Sequence, residues 1–185
     1  MAVHLDDPTR AAVAEAVSEL RAGAGALPVS WVARENFHVT VKFLGTVDEA
    51  RVPSIVTVLQ TVAAGHTTFA ADVCGLGAFP FSSRARVLWA GIADGREPLS
   101  DLAGAVDEAL AKLGFPAEGR ALAPHVTVGR VRAPRRAPGL ASVIEAGRTR
   151  RFGRVDVNQI ALMRSDLSPR GARYTTLAAF PLSRA

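Results

Sequence analysis

Cysteine is almost missing from this chain of 185 residues, with Cys74 the only one. A single thiol excludes an internal disulfide and any zinc site built on paired cysteines. Its setting, ADVCGLGAF, is apolar, which fits a small buried side chain better than a reactive thiol. Lysine is nearly as scarce: Lys42 and Lys112 are the two present, so arginine carries most of the positive charge behind the formal net +5. Arginine suits bidentate contact with phosphate. The chain is also rich in alanine, arginine, glycine and valine throughout, so its basicity permits an anionic or nucleic-acid ligand without demonstrating one. No apolar run approaches the ~18 residues of a membrane span. The opening MAVHLDD has neither a basic region nor the apolar stretch of a secretory signal. The expectation is a cytoplasmic protein, free of membrane, folded as a single domain over residues 1–185.

What is present is an alternation of helix and strand signals. MAVHL reads as a first strand, and Asp7-Pro8 opens a helix with Asp7 as cap and Gly23 near its end. LPVSWV and NFHVTVKFLG read as strands, and Asp48 caps a second helix over EARVPSIVTVLQTVAAG. TTFAADVCGLGAF and ARVLWAGI are strands again. Glu97 to Leu113 is a helix with an apolar stripe and Gly114 as its stop. LAPHVTVGRV is a strand, RAPRRAPG a linker and GLASVIEAG a short helix, before strands in RFGRVDVNQIALMRSD and ARYTTLAAFPL. Helices between strand pairs, with no long parallel series, predict an α+β fold with mainly antiparallel sheets.

Two of the four histidines open the same tetrapeptide, HVTV, at 38–41 and 125–128. The two copies fall at comparable points of the chain, which suggests an approximate internal duplication. In the first, Phe37, Val39, Val41 and Phe43 share one strand face, while His38, Thr40 and Lys42 share the other. His38 and Thr40 then stand about 7 Å apart at ~3.4 Å per residue, on the open face. In the second, Val126 and Val128 take the buried face and His125 and Thr127 the open one. Arg130 has the wrong parity for that face unless the strand bulges, which Gly129 makes plausible.

No carboxylate or cysteine accompanies either pair, so a metal centre fits poorly, and no cofactor is expected. Nothing resembles a nucleophile elbow. Two imidazoles and two hydroxyls do suit phosphodiester cleavage. A neutral imidazole takes a proton from water, and an imidazolium protonates the leaving oxygen. The hydroxyls bind the phosphate oxygens, and a nearby arginine adds a charged contact. His4 and His66 read as structural. Phe37, Phe43, Trp31 and Trp89 read as core, and Phe79 and Phe81, beside Arg84 and Arg86, are the better candidates for stacking on a base.

NFHVTVKFLG and PHVTVGR resemble the paired His-x-Thr motifs of the 2H phosphoesterase superfamily, and more closely those of the RNA 2′,3′-cyclic phosphodiesterases, first described as 2′-5′ RNA ligases. GLGAFPFSSRARVLWAGI and SDLSPRGARYTTLAAFPL resemble further stretches of that family in the family's order. The resemblance implies two pseudo-symmetric lobes of mainly antiparallel strands with outer helices around a central cleft, the terminal segments sharing one lobe. It implies His38 as proton donor to the leaving 3′ oxygen and His125 as the proton acceptor that activates water. Thr40, Thr127 and Arg130 would bind the substrate phosphate. MAVHL lacks the family's Arg-aromatic opening, and Gly129 stands where alanine is usual.

The expected activity is metal-independent hydrolysis of an RNA-terminal 2′,3′-cyclic phosphate to a 2′-phosphate by a monomer whose partner is the RNA or nucleotide end. The alternatives are a 2′-5′ RNA ligase, another cyclic-phosphate esterase, or a nucleotide- or RNA-binding module without turnover. Intact histidines and threonines in both motifs count against the last.

Overall fold

The computed structural model describes residues 1–119, 122–168 and 171–184. Positions 169 and 170, inside the family-like stretch SDLSPRGARYTTLAAFPL, lie outside the described residues.

Among the described residues, nine strands and four helices follow one another as β1 (Ala2–His4), α1 (Asp7–Ala24), β2 (Val29–Trp31), β3 (His38–Thr40), α2 (Val52–Ala64), β4 (Phe69–Phe79), β5 (Val87–Ile92), α3 (Arg96–Ala111), β6 (His125–Val131), α4 (Pro138–Ala146), β7 (Arg151–Val157), β8 (Gln159–Ser168) and β9 (Gly171–Pro181). Every pairing among these strands is antiparallel. Their order across the curled sheet is β7-β4-β5-β6-β3-β1-β8-β9, with β2 alongside β6.

That order has a centre between β6 and β3, the two strands that carry HVTV. On either side stands one flanking strand, β5 beside β6 and β1 beside β3. In each half the flanking strand leads through a helix to the motif strand and on to a second helix: β1-α1-β3-α2 and β5-α3-β6-α4. The expected duplication is therefore visible in the topology. The helices cross over between the halves. Helix α1, which leaves β1, packs on α4 and β7, whereas α2 packs on α3, β8 and β9. At the α1–α4 contact the two backbones touch: a Cβ on Gly23 would lie 2.8 Å from the Gly139 carbonyl oxygen.

Three local expectations need correction. Helix α1 is capped by Asp6, not Asp7. The Asp6 carboxylate accepts from the Thr9 amide at 2.9 Å, because Pro8 in the first turn has no N–H to offer. Strand β3 is three residues long rather than ten, and the alternation around it holds only as far as Val41. Beyond it the pattern inverts. Lys42 is buried at 2% exposure, and Phe43, expected in the core, is 74% exposed. The Lys42 ammonium turns inward to bond Asp107 of α3 and the Pro116 carbonyl, and that pairing overrides the strand period. Trp89 is the third. Half-buried rather than in the core, its indole lies across Gly77, where a Cβ would come within 2.1 Å of the ring.

Beneath the sheet, Val39, Val41, Val126 and Val128 join Phe37, Leu88, Ala90 and the apolar stripe of α3 (Leu99, Leu102, Val106, Leu110) in one core. The apolar face of each HVTV is thus fixed, which leaves the histidine face to the cleft.

Candidate active site

The two motif strands lie side by side, antiparallel, with Val39 opposite Val126. Continued one step either way, that register sets His38 opposite Thr127 and Thr40 opposite His125. The outer neighbours extend the pattern, since His4 pairs with His38 on one side and Trp89 with Thr127 on the other. One row across the cleft face therefore reads His4, His38, Thr127, Trp89. The next reads Ala2, Thr40, His125, Gly91. Directly opposed residues have Cβ atoms about 4.5–5.5 Å apart, so each imidazole has the other motif's hydroxyl as its cross-strand neighbour.

Both imidazoles are held the same way. His38 Nδ1 bonds the Asn36 carbonyl at 2.8 Å, and His125 Nδ1 bonds the Ala123 carbonyl at 2.7 Å. A carbonyl only accepts, so Nδ1 carries the proton in each ring and Nε2 is the nitrogen left for chemistry. The Thr40 hydroxyl lies 3.2 Å from His38 Nε2 and donates to it when the ring is neutral.

Aromatic edges bracket the pair. Tyr174 of β9 meets the His38 ring edge-on, centroids 5.0 Å apart, and Phe79 meets the His125 ring likewise at 5.2 Å. Trp89 stands behind Phe79, 6.4 Å from His125. Asn36 fastens the His38 side together: while its carbonyl holds the imidazole, its side-chain amide donates to the Ala172 carbonyl at 2.8 Å, two residues before Tyr174.

Burial holds the His38 imidazole below its ordinary value. The Asn36 carbonyl opposes this, and the amino-terminal ammonium and His4 push weakly in the same direction as burial. The neighbouring His4 is also lowered, first by burial and then by Arg10.

Arg130 comes to the cleft face through a bulge. The pairing between β5 and β6 slips between Leu88 and Trp89, so that Val128 and Gly129 are both buried and Arg130 emerges exposed, opposite Val87. The parity of the sequence alone put Arg130 on the other face, and Gly129 supplies the irregularity. Of the proposed stacking aromatics, Phe79 lies against His125, while Phe81 projects at 57% exposure. His66 bonds the carbonyl of Val62 at the end of α2, a structural contact. His38, Thr40, His125, Thr127 and Arg130 thus share one face, and His4, Asn36, Trp89 and Tyr174 join them there without having been singled out for it.

A groove of about 570 Å³ opens from this face, lined by Thr40, Phe43, Gly104, Asp107, Glu118 and His125 among others. Among the described residues no group of three histidine, cysteine or acidic side chains is placed to hold a metal ion, and no helix is long and apolar enough to cross a membrane.

Comparison with known proteins agrees with this architecture. A family model described as the 2′-5′ RNA ligase superfamily matches residues 8–169. The RNA 2′,3′-cyclic phosphodiesterase of Methanothermobacter thermautotrophicus is 35% identical over 182 residues, covering 98% of this chain and 97% of its own. That of Archaeoglobus fulgidus is 36% identical over 180 residues, covering 97% of each. Among solved structures, TT0787 of Thermus thermophilus superposes with a TM-score of 0.78 at 30% identity, covering 98% of this chain and 95% of that one. Escherichia coli LigT complexed with 3′-AMP has a TM-score of 0.75 over 99% of this chain and 96% of its own, at 22% identity, which speaks for the fold.

Proposed function

Because the chain belongs to the 2′-5′ RNA ligase superfamily, we propose that its paired histidines hydrolyse RNA-terminal 2′,3′-cyclic phosphates to 2′-phosphates without a metal. The observation that carries this reading is the Val39–Val126 register, which sets each imidazole beside the other motif's threonine on one open face. Two proton carriers with their Nδ1 atoms tied to carbonyls, so that Nε2 is the working nitrogen of each, with that of His38 beside the Thr40 hydroxyl, are what acid–base cleavage of a phosphodiester requires.

In this mechanism His125 Nε2 takes the proton from a water as its oxygen attacks phosphorus. The bond from phosphorus to the 3′ oxygen breaks, and His38 Nε2 gives that oxygen its proton. Thr40, Thr127 and Arg130 bind the non-bridging oxygens, where charge gathers in the transition state. The carbonyls of Asn36 and Ala123 keep each ring in one orientation and steady the imidazolium form.

The test is incubation with 2′,3′-cyclic AMP in EDTA, the products separated as 2′-AMP and 3′-AMP. We expect 2′-AMP alone, with a bell-shaped pH dependence. His38→Ala and His125→Ala should each fall by about 10²–10⁴-fold. Absence of turnover, or a 3′-phosphate product, would overturn the reading.

A further inference from the structure

Three of the four histidines are anchored alike. His38, His66 and His125 each bring Nδ1 to a backbone carbonyl, at 2.8, 2.8 and 2.7 Å. His4 is the exception. It is half-buried on the cleft face, yet among the described residues nothing hydrogen-bonds its ring. A structural histidine would have its partner within the fold; a partnerless one facing a phosphate cleft is a donor that awaits an acceptor.

Its place in the sheet says which acceptor. His4 pairs with His38, so its backbone stands one strand, about 4.7–4.9 Å, beyond that residue. With His125 as the base, the departing 3′ oxygen and its ribose lie on the His38 side. In an RNA end the next phosphate, on the 5′ side of the terminal nucleotide, is one ribose farther on. The opposite direction is unfavourable to it. The groove past His125 is lined by the carboxylates of Asp107 and Glu118, and among the described residues of that lining the one lysine or arginine is Lys42, buried and paired with Asp107. Around His4 the charge is positive. Burial first, and then Arg10 of α1, holds its imidazole below the ordinary value. His38 is its titratable neighbour on β3. On β8 the register continues to the uncharged Gln159. The nearby Asp7 is bonded to Arg10 at 3.2 Å, and among the described residues no carboxylate pairs with the His4 ring.

We propose that His4 binds the phosphate on the 5′ side of the terminal nucleotide, and so makes this chain prefer the end of an RNA strand to a free nucleoside cyclic phosphate. The inference rests on the acid–base reading above. No bond forms or breaks at His4. Its ring donates to a non-bridging oxygen, as a neutral imidazole or, more tightly, as an imidazolium. The preference therefore grows as the pH falls and the ring takes up a proton.

Two substrates isolate the contact: 2′,3′-cyclic AMP, and the same molecule with a methyl phosphodiester on its 5′ oxygen, whose single charge is constant between pH 6 and 8. Both use His38 and His125, so effects on the shared chemistry cancel in the ratio of their kcat/KM values. We expect the parent to favour the 5′-phosphorylated substrate at least fivefold at pH 6 and less at pH 8. His4→Leu should bring the ratio within twofold of one at both. His4→Lys should keep the preference and hold it level from pH 6 to 8, which a packing role would not do. The subsite is wrong if the parent hydrolyses both substrates with a ratio within twofold of one, a result under which the phosphodiesterase reading survives. It is also wrong if His4→Leu keeps the parent's ratio or, should that variant not fold, if the ratio of His4→Lys varies with pH as the parent's does. A parent inactive on both substrates ends both proposals.

Discussion

At the scale of single residues, the site poses a question of protons. The proposed donor, His38, is held below the ordinary imidazole value by burial, so in the free protein near neutral pH it is largely without the proton it must give. An anionic phosphate in the cleft reverses the balance by favouring the charged ring. Binding should therefore take up a proton, and a nucleoside 2′-phosphate should bind more tightly as the pH falls toward and below about 6.5. An NMR titration of the His38 ring protons checks this. The titration midpoint should lie under 6.5 alone and rise with ligand; a midpoint that stays low would make His38 the base and His125 the acid. Removing the edge-on ring with Tyr174→Ala should let water reach His38 and lift the free value back toward ordinary. The histidines and threonines were legible in the sequence because the valines between them declare a strand with one face left over. Tyr174 and Asn36 were not, because what they do depends on a contact spanning 136 residues, from Asn36 to Ala172, which no local pattern announces.

At the scale of elements, β3 shows where a period misleads. Seven alternating residues suggested a strand through Phe43, but β3 ends at Thr40; Val41 and Lys42 keep backbone bonds to Met1 beside β1, while the Lys42 side chain turns inward to Asp107. The two ends of that ion pair are unequal. The Lys42 side chain is 1% exposed and that of Asp107 20%. Asp107→Ala should therefore cost about 3–5 kcal/mol by stranding a buried ammonium, and Lys42→Met less, as urea midpoints would show. Lys42 holds the Asp107 carboxyl below its unfolded value near 3.9. Its contribution is thus complete above that pH and is lost as the pH falls through the lowered native value. Asp107→Asn should lose less stability than the parent on acidification from pH 5 to 3. The bulge at Gly129 is the opposite case: the sequence hinted at it, and the slip in pairing carries Arg130 to the cleft.

At the scale of the whole molecule, the two halves meet through HVTV strands below the cleft and through helices that change sides. The α1–α4 contact offers a direct test, since two glycines in similar helical settings have opposite surroundings. Gly23→Ala should destabilise by about 1–3 kcal/mol by forcing α1 from the Gly139 backbone. Gly104→Ala, with open space before it, should stabilise by up to about 1 kcal/mol. Thermal midpoints of the two variants should move apart. The helices and nearly every strand could be read from the sequence. The crossover could not, since nothing in an amphipathic stripe names the sheet it will cover.

The sheet order also fixes a timetable. Of the nine described strands β1 is synthesised first, yet its outer neighbours β8 and β9 come last among them. The half that contains His125 gains its partners β4, β5 and β7 earlier, so it can close while the first strand still waits. His38 receives Tyr174 only when β9 has been synthesised. At about 5–20 residues per second, the His125 side of the site can therefore be in place a second or more before β9 brings Tyr174 to His38.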